Sequence, residues 1–303
     1  MNIEVREKRV LSSDGVHTLV GRVYIPDVAP RAIFHVVHGM TEYIGRYDPF
    51  MREMAARGYV VFGYDHLGHG ETAGDGELGY FAGRDGYDLL ALDVKIFSDE
   101  MKAAYPTLPY YLMGHSMGSF VVRLATERYV RPDKLVIMGT GGPNGAAGIG
   151  LAFLKIIRAF KGEKHISETA DSLAFGSYNK RYKSERDPNS WLTKDESVRK
   201  RFALDPKCNF RFTVSAMIDL VTLNKLTNRE AWFKNMPFIP ILLVSGEGDP
   251  VGDYGKGVKK VYKKLTKYGK NAELILYPTG RHEILNDDTK GKVTADIAAF
   301  LAR

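Results

Sequence analysis

Short, almost unbroken apolar runs constrain this chain more than any other feature. Ala32-Ile33-Phe34-His35-Val36-Val37 and Tyr59-Val60-Val61-Phe62-Gly63-Tyr64 offer apolar side chains to both faces of a strand. Such strands must be covered on both sides, which places them inside a parallel sheet. Helical patterns around 46–57 and 85–104 separate these runs from one another and from the next, Pro109 to Met113. Lys134 to Met138, Ile241 to Ser245 and Glu273 to Tyr277 read as further strands, and a helix over 289–301 closes the chain. Before them, Ile3 to Leu11 and Val16 to Ile25 flank Ser12-Ser13-Asp14-Gly15, a hairpin signal. Strands and helices in alternation predict an α/β fold, a mostly parallel sheet with helices on both faces. The rhythm breaks from about Gly142 to Phe238, where strand signals give way to amphipathic helices and charges. The expected division is therefore a core of residues 1–141 and 237–303, with a helical insertion at 142–236 over one end of the sheet.

A chain of 303 residues is long enough to bury such a core. Its single cysteine, Cys208, rules out an internal disulfide and any cysteine cluster for a metal, and suits a reducing compartment. Residues 1–12 alternate charged and apolar side chains and lack the apolar centre of a secretion signal. No apolar run reaches membrane-spanning length, so the expected location is the cytoplasm. The net charge of +7 suggests nucleic acid at first sight. Much of it, however, lies between Tyr254 and Lys270, where seven lysines surround Val258, Val261, Tyr262 and Leu265 at helical spacing. That pattern is an amphipathic helix with a solvated lysine face, and no nucleic-acid partner is expected. A weak attraction to anionic lipid surfaces remains compatible with it.

In an open α/β sheet, functional groups gather at the carboxyl ends of the strands. Met113 leads into Gly114-His115-Ser116-Met117-Gly118, followed by a helical pattern from Ser119 to Glu127. A strand turning sharply into a helix around G-x-S-x-G lifts the serine hydroxyl clear of its neighbours. Val244 is followed by Ser245-Gly246-Glu247-Gly248-Asp249-Pro250, and Tyr277 by Pro278-Thr279-Gly280-Arg281-His282-Glu283. Serine is a poor nucleophile at neutral pH and needs a base, the role open to His282. A buried carboxylate, Asp249, would fix the imidazole tautomer and stabilise its protonated form. The tetrahedral oxyanion needs preorganised donors; the Met117 amide is one, and Met40, beyond His38-Gly39, is the natural second.

Two His-x-x-His pairs, His35/His38 and His66/His69, raise a metal site as an alternative. They fall in strand and loop rather than one turn apart on a helix, and no acidic ligand pattern accompanies them. No metal is expected. Asp65-His66-Leu67-Gly68-His69-Gly70 instead reads as a rigid loop beneath the site whose side chains satisfy nearby backbone groups.

His38-Gly39-Met40-Thr41-Glu42-Tyr43 with Gly45-Arg46-Tyr47, the loop Asp65 to Gly70, the Ser116 elbow, Gly248-Asp249-Pro250-Val251 and Arg281-His282-Glu283 together resemble the α/β-hydrolase superfamily. The resemblance is to the branch of monoacylglycerol lipases, lysophospholipases and serine aminopeptidases. It implies an eight-stranded sheet, a helical lid at the insertion that forms the acyl pocket, and ester hydrolysis through an acyl-enzyme without a cofactor. The substrate it implies is a small-molecule ester of a single acyl chain. The first helical stretch of the insertion, Ile149 to Phe160, is apolar over most of its circumference. Two readings of it stay open: packing onto the main domain, or a rim contacting lipid. A peptidase or amidase of the same fold would need an anionic anchor for a free amine, for which Glu168, Asp171 and Asp219 are candidates. A silent hydrolase-fold binding protein is the third reading.

Overall fold

The computed structural model describes residues 2–303; Met1, where the expected core begins, lies outside the described residues. Eight strands form one sheet in the order β1-β2-β4-β3-β5-β6-β7-β8. They are β1 (Ile3–Leu11), β2 (Thr18–Pro26), β3 (Ala32–Val37), β4 (Tyr59–Tyr64), β5 (Tyr110–His115), β6 (Lys134–Met138), β7 (Ile241–Gly246) and β8 (Ala272–Tyr277). The pairs β1/β2 and β2/β4 are antiparallel, and every other pairing is parallel. Strands β3, β4 and β7 are buried at every position, as their unbroken apolar runs require.

Side chains of successive strand residues enter opposite cores. Ile33, Val60, Phe62, Leu112, Ile137 and Leu243 pack in one cluster with α2 (Gly86–Ala104), α3 (Met117–Arg128) and α9 (Lys256–Lys267). Phe34, Val61, Met113, Val136 and Val244 pack in the other, with α1 (Asp48–Ala56) and α10 (Lys290–Ala302). Between β6 and β7 the regular elements are all helical, joined by loops: α4 (Ala147–Lys161), α5 (Glu168–Phe175), a 3-10 stretch Tyr178–Glu185, α6 (Glu196–Leu204), α7 (Val214–Asn228) and α8 (Glu230–Asn235).

Among the boundaries that differ from the sequence reading, two do so for a local reason that the side chains make plain. The second strand starts at Thr18, because the Asp14 carboxylate accepts the Val16 and His17 amides and holds Val16 in the turn, 77% exposed. The helix expected from Arg46 instead begins as a 3-10 turn, Ile44–Tyr47, whose first amide is bonded to the Asp65 carboxylate at 2.8 Å. α1 then follows with Pro49 in its first turn, where a missing amide does no harm, and stops at Gly58 with φ of 88°.

Candidate active site

Ser116 sits between β5 and α3 with φ 54° and ψ −120°, a left-handed backbone that a serine adopts only under constraint. The constraint is steric. A Cβ on Gly114 would strike the Gly118 carbonyl, and one on Gly118 would strike the carbonyls of Val37 and His38. Only glycines at both positions let the strand turn into the helix this sharply. The Ser116 amide is held by the Met138 carbonyl at 3.0 Å, tying the turn to β6.

Ser116, Asp249 and His282 come from the ends of β5, β7 and β8 and meet at one point. The Ser116 Oγ lies 2.8 Å from His282 Nε2. Nδ1 of the same ring lies 3.0 Å from Asp249 Oδ2, yet off the hydrogen-bond axis, and neither atom has another partner. Free sites of this kind often close to full alignment only around a bound substrate. Asp249 is fully buried, and its other oxygen accepts the Val251 amide at 2.8 Å. Met40 and Met117 both line the cavity above Ser116, and among the described residues neither backbone amide is matched to an acceptor. A serine, an imidazole, a carboxylate and two free amides can together take a proton from the hydroxyl and stabilise an oxyanion.

The loop carrying Met40 is fixed by histidines. His38 Nε2 accepts the His66 amide at 3.0 Å, so its proton sits on Nδ1, which donates to the Gly39 carbonyl at 2.8 Å. His69 repeats the arrangement: Nε2 accepts the Thr41 amide, and Nδ1 donates to the Leu67 carbonyl. Both rings are locked as neutral tautomers. Burial drives the pKa of His38 down, and that of His69 to about 3. Asp65 accepts the Ile44 and Glu71 amides. His38 and His69 thus spend both ring nitrogens on the backbone, whereas His35 Nδ1 meets the Tyr110 hydroxyl at 3.2 Å and the two ring nitrogens of His66 are buried without a hydrogen-bond partner. No group of three or more metal-ligating side chains is gathered among the described residues.

A buried ion cluster underlies the same loop. Arg46 Nη1 reaches Glu42 at 2.7 Å and Glu283 at 2.8 Å, while Nη2 completes a bidentate pair with Glu283 at 2.8 Å. Glu42 also accepts the Gly39 amide and the Tyr47 hydroxyl. Burial pushes both carboxyls up, but their bonded cations outweigh it and hold them below the ordinary carboxylate range. His115 bonds the His282 carbonyl through Nε2 at 3.2 Å and faces Tyr47 and Glu42 through Nδ1. Burial pulls its pKa down, and the Glu42 carboxylate more than reverses this. Sequence reasoning gave these residues no role. The i,i+4 spacing of Glu42 and Arg46 was the one available sign.

The cavity over Ser116 has a volume of about 620 Å³. Phe120, Phe175, Trp191, Phe210, Met217, Leu220 and Val221 make much of its wall, most of them from the insertion. Of the insertion's three candidate acids, only Asp171 lines it. Burial raises the pKa of Asp171, and Arg211, 3.9 Å away, opposes that. Glu168 is bonded to Arg211 at the surface, and Asp219 is buried against Gly86, with its carboxyl pushed up to about 7 by desolvation.

Comparison with known proteins places the chain among hydrolases of this fold. A family model described as serine aminopeptidase, S33, matches residues 28–289. Human monoglyceride lipase is 34% identical over 120 residues, and the match spans 39% of this chain but 38% of that protein. A monoglyceride lipase homolog of Monkeypox virus is 24% identical over 284 residues, 91% of either chain. Among solved structures, a thermostable carboxyl esterase from Bacillus coagulans in complex with glycerol has a TM-score of 0.93 at 30% identity, over 98% of both chains.

Proposed function

Because this chain belongs to the serine aminopeptidase (S33) family of α/β-hydrolases, we propose that it hydrolyses carboxylic esters of single acyl chains, such as monoacylglycerols, lysophospholipids or short-chain esters. The observation that carries this reading is the 2.8 Å approach of His282 Nε2 to Ser116 Oγ at the floor of a cavity walled in large part by aromatic and aliphatic side chains. Ser116 attacks the ester carbonyl while His282 takes its proton, and Asp249 steadies the imidazolium. The amides of Met40 and Met117 receive the oxyanion. His282 then returns the proton to the departing alcohol, leaving an acyl-enzyme that water resolves with the same groups in reverse. The monoglyceride lipases and the carboxyl esterase among its relatives support an ester as substrate.

Residues 142–236 act in this scheme as a lid that walls the acyl pocket. Its first helix, α4, turns Ile149, Ile156 and Phe160 outward, 78%, 58% and 83% exposed, beside Lys155 and Lys161. That apolar stripe with flanking cations suits a peripheral contact with a lipid surface.

A fluorophosphonate probe and a panel of p-nitrophenyl and monoacylglycerol esters of graded chain length test the proposal. Wild-type protein should be labelled and turn over esters, and Ser116→Ala should abolish labelling and lower kcat by several orders of magnitude, because the three residues act as a unit. A variant with undiminished turnover would remove Ser116 from the mechanism. Asp171 at the cavity wall keeps one other reading in view, removal of an N-terminal residue with its amine held by that carboxylate. Faster turnover of aminoacyl-naphthylamides than of esters would favour it.

A further inference from the structure

The off-axis contact between His282 and Asp249 raises the question of what sets the distance between their two loops. The acid loop after β7 and the base loop after β8 touch directly through the Gly248 amide, which donates to the Gly280 carbonyl at 2.9 Å. Just before both loops the Glu247 amide donates to the Tyr277 carbonyl at 2.9 Å, and the insertion supplies a further set of contacts to each loop. The Tyr182 hydroxyl donates to the Gly248 carbonyl, one residue before Asp249, at 2.6 Å. The fit is tight enough that a Cβ on Gly248 would lie 2.6 Å from that hydroxyl. The Tyr182 ring itself meets the base loop: the Arg281 guanidinium, immediately before His282, lies over it at 4.1 Å.

Arg281 is itself anchored to the insertion, through Glu185 and through the Ser190 carbonyl at 2.5 Å. The His282 and Glu283 amides donate to the carbonyls of Trp191 and Leu192. On the far side of the acid, Arg181 stacks at 3.3 Å on Tyr254, whose amide donates to the Asp249 carbonyl at 2.8 Å. Consecutive residues 181 and 182 therefore grip the chain on both flanks of Asp249. A kink in the 3-10 stretch at Tyr182, φ −113° and ψ 16°, occurs where the two side chains make these contacts.

We propose that Tyr182 is a positioning residue for the reaction, setting the spacing of Asp249 and His282 by bridging the acid loop through its hydroxyl and the base loop through its ring. The proposal rests on the triad reading above. It makes the insertion part of the catalytic framework as well as a wall of the pocket. Segment 181–192 has to stay in place during turnover, whatever α4 and α5 do.

Tyr182→Phe removes the hydroxyl and keeps the ring beneath Arg281. The expected result is a fall in kcat of roughly ten- to a hundredfold, as misplaced catalytic groups produce, with KM within about twofold of wild type. In the fluorophosphonate adduct, which fills the site and lets the pair align, the low-field proton resonance of His282 Nδ1 held by Asp249 should broaden or vanish relative to wild type, and the melting temperature should move by only a few degrees. Rates are referred to probe-reactive protein, so loss of folded material does not count. Unchanged kcat with an intact low-field proton overturns the proposal. So does a lowered melting temperature at unchanged kcat, which would make the bond merely structural. A wild-type protein with neither probe labelling nor the low-field proton would overturn the triad reading itself, and this proposal with it.

Discussion

Arg46 shows how much one side chain carries here. Its guanidinium lies between two buried carboxylates, and one of them, Glu42, also holds the Gly39 amide next to Met40. Planar bidentate contact with Glu283 is a geometry that lysine cannot reproduce. Arg46→Ala would remove the cation that lies between Glu42 and Glu283, and a broken buried pair destabilises by about 3–5 kcal/mol. Thermal unfolding should show that loss, and ester turnover should fall with it, because Glu42 sets the loop that bears the Met40 amide. A melting temperature within a degree or two of wild type would mean that the cluster does not support the loop. The sequence exposed part of this arrangement. Ser116, Asp249 and His282 were legible as candidates because each follows a readable strand. The partners of Glu283 and His115 were not, since they lie far apart in the chain and only the folded sheet brings them together.

Strands were the most legible elements because the two-residue alternation between cores forces apolar residues into nearly every position of β3, β4 and β7. Helices on the surface were harder. α4 reads as apolar around most of its circumference, yet the fold buries only Ala147 and Leu154 of it. Local side-chain bonds also moved element ends, as Asp14 does at β2 and Asp65 does before α1. The β1/β2 hairpin depends on a further such bond: Asp93 of α2 accepts the Ser12 hydroxyl and the Ser13 amide. Burial pushes the Asp93 carboxyl up to about 6, against those bonds. A raised folded-state value means its contribution is complete below the unfolded carboxyl range near 3.8 and is lost as pH climbs through about 6. Asp93→Asn keeps an acceptor for Ser13 without a charge to bury. Its melting temperature relative to wild type should therefore rise between pH 5 and pH 8, by a few degrees. Calorimetry across that range checks this, and a difference independent of pH would contradict the assigned cause.

The whole molecule divides its labour between a sheet that brings three loops to one point and an insertion that closes over them. The chain order Ser, Asp, His could be read from the sequence, and their convergence could be expected from strand ends, but the insertion's two attachments could not. Its middle grips the acid and base loops through residues 181–192, whereas α4 packs chiefly against α7 with few buried side chains and turns Ile156 and Phe160 to the outside. If that outer stripe meets lipid, charging it should separate two activities that share one active site. Ile156→Glu with Phe160→Glu alters only exposed positions, so the fold should lose no more than about 0.5 kcal/mol per change. Hydrolysis of a dissolved short-chain p-nitrophenyl ester should stay within twofold of wild type. Each lost apolar insertion is worth about 1.5–3 kcal/mol, so binding to vesicles should fall at least tenfold, and turnover of monoacylglycerol presented in those vesicles should fall with it. Cosedimentation and the paired assays measure both quantities on one preparation. Equal vesicle binding by variant and wild type would assign the stripe to something other than a lipid surface.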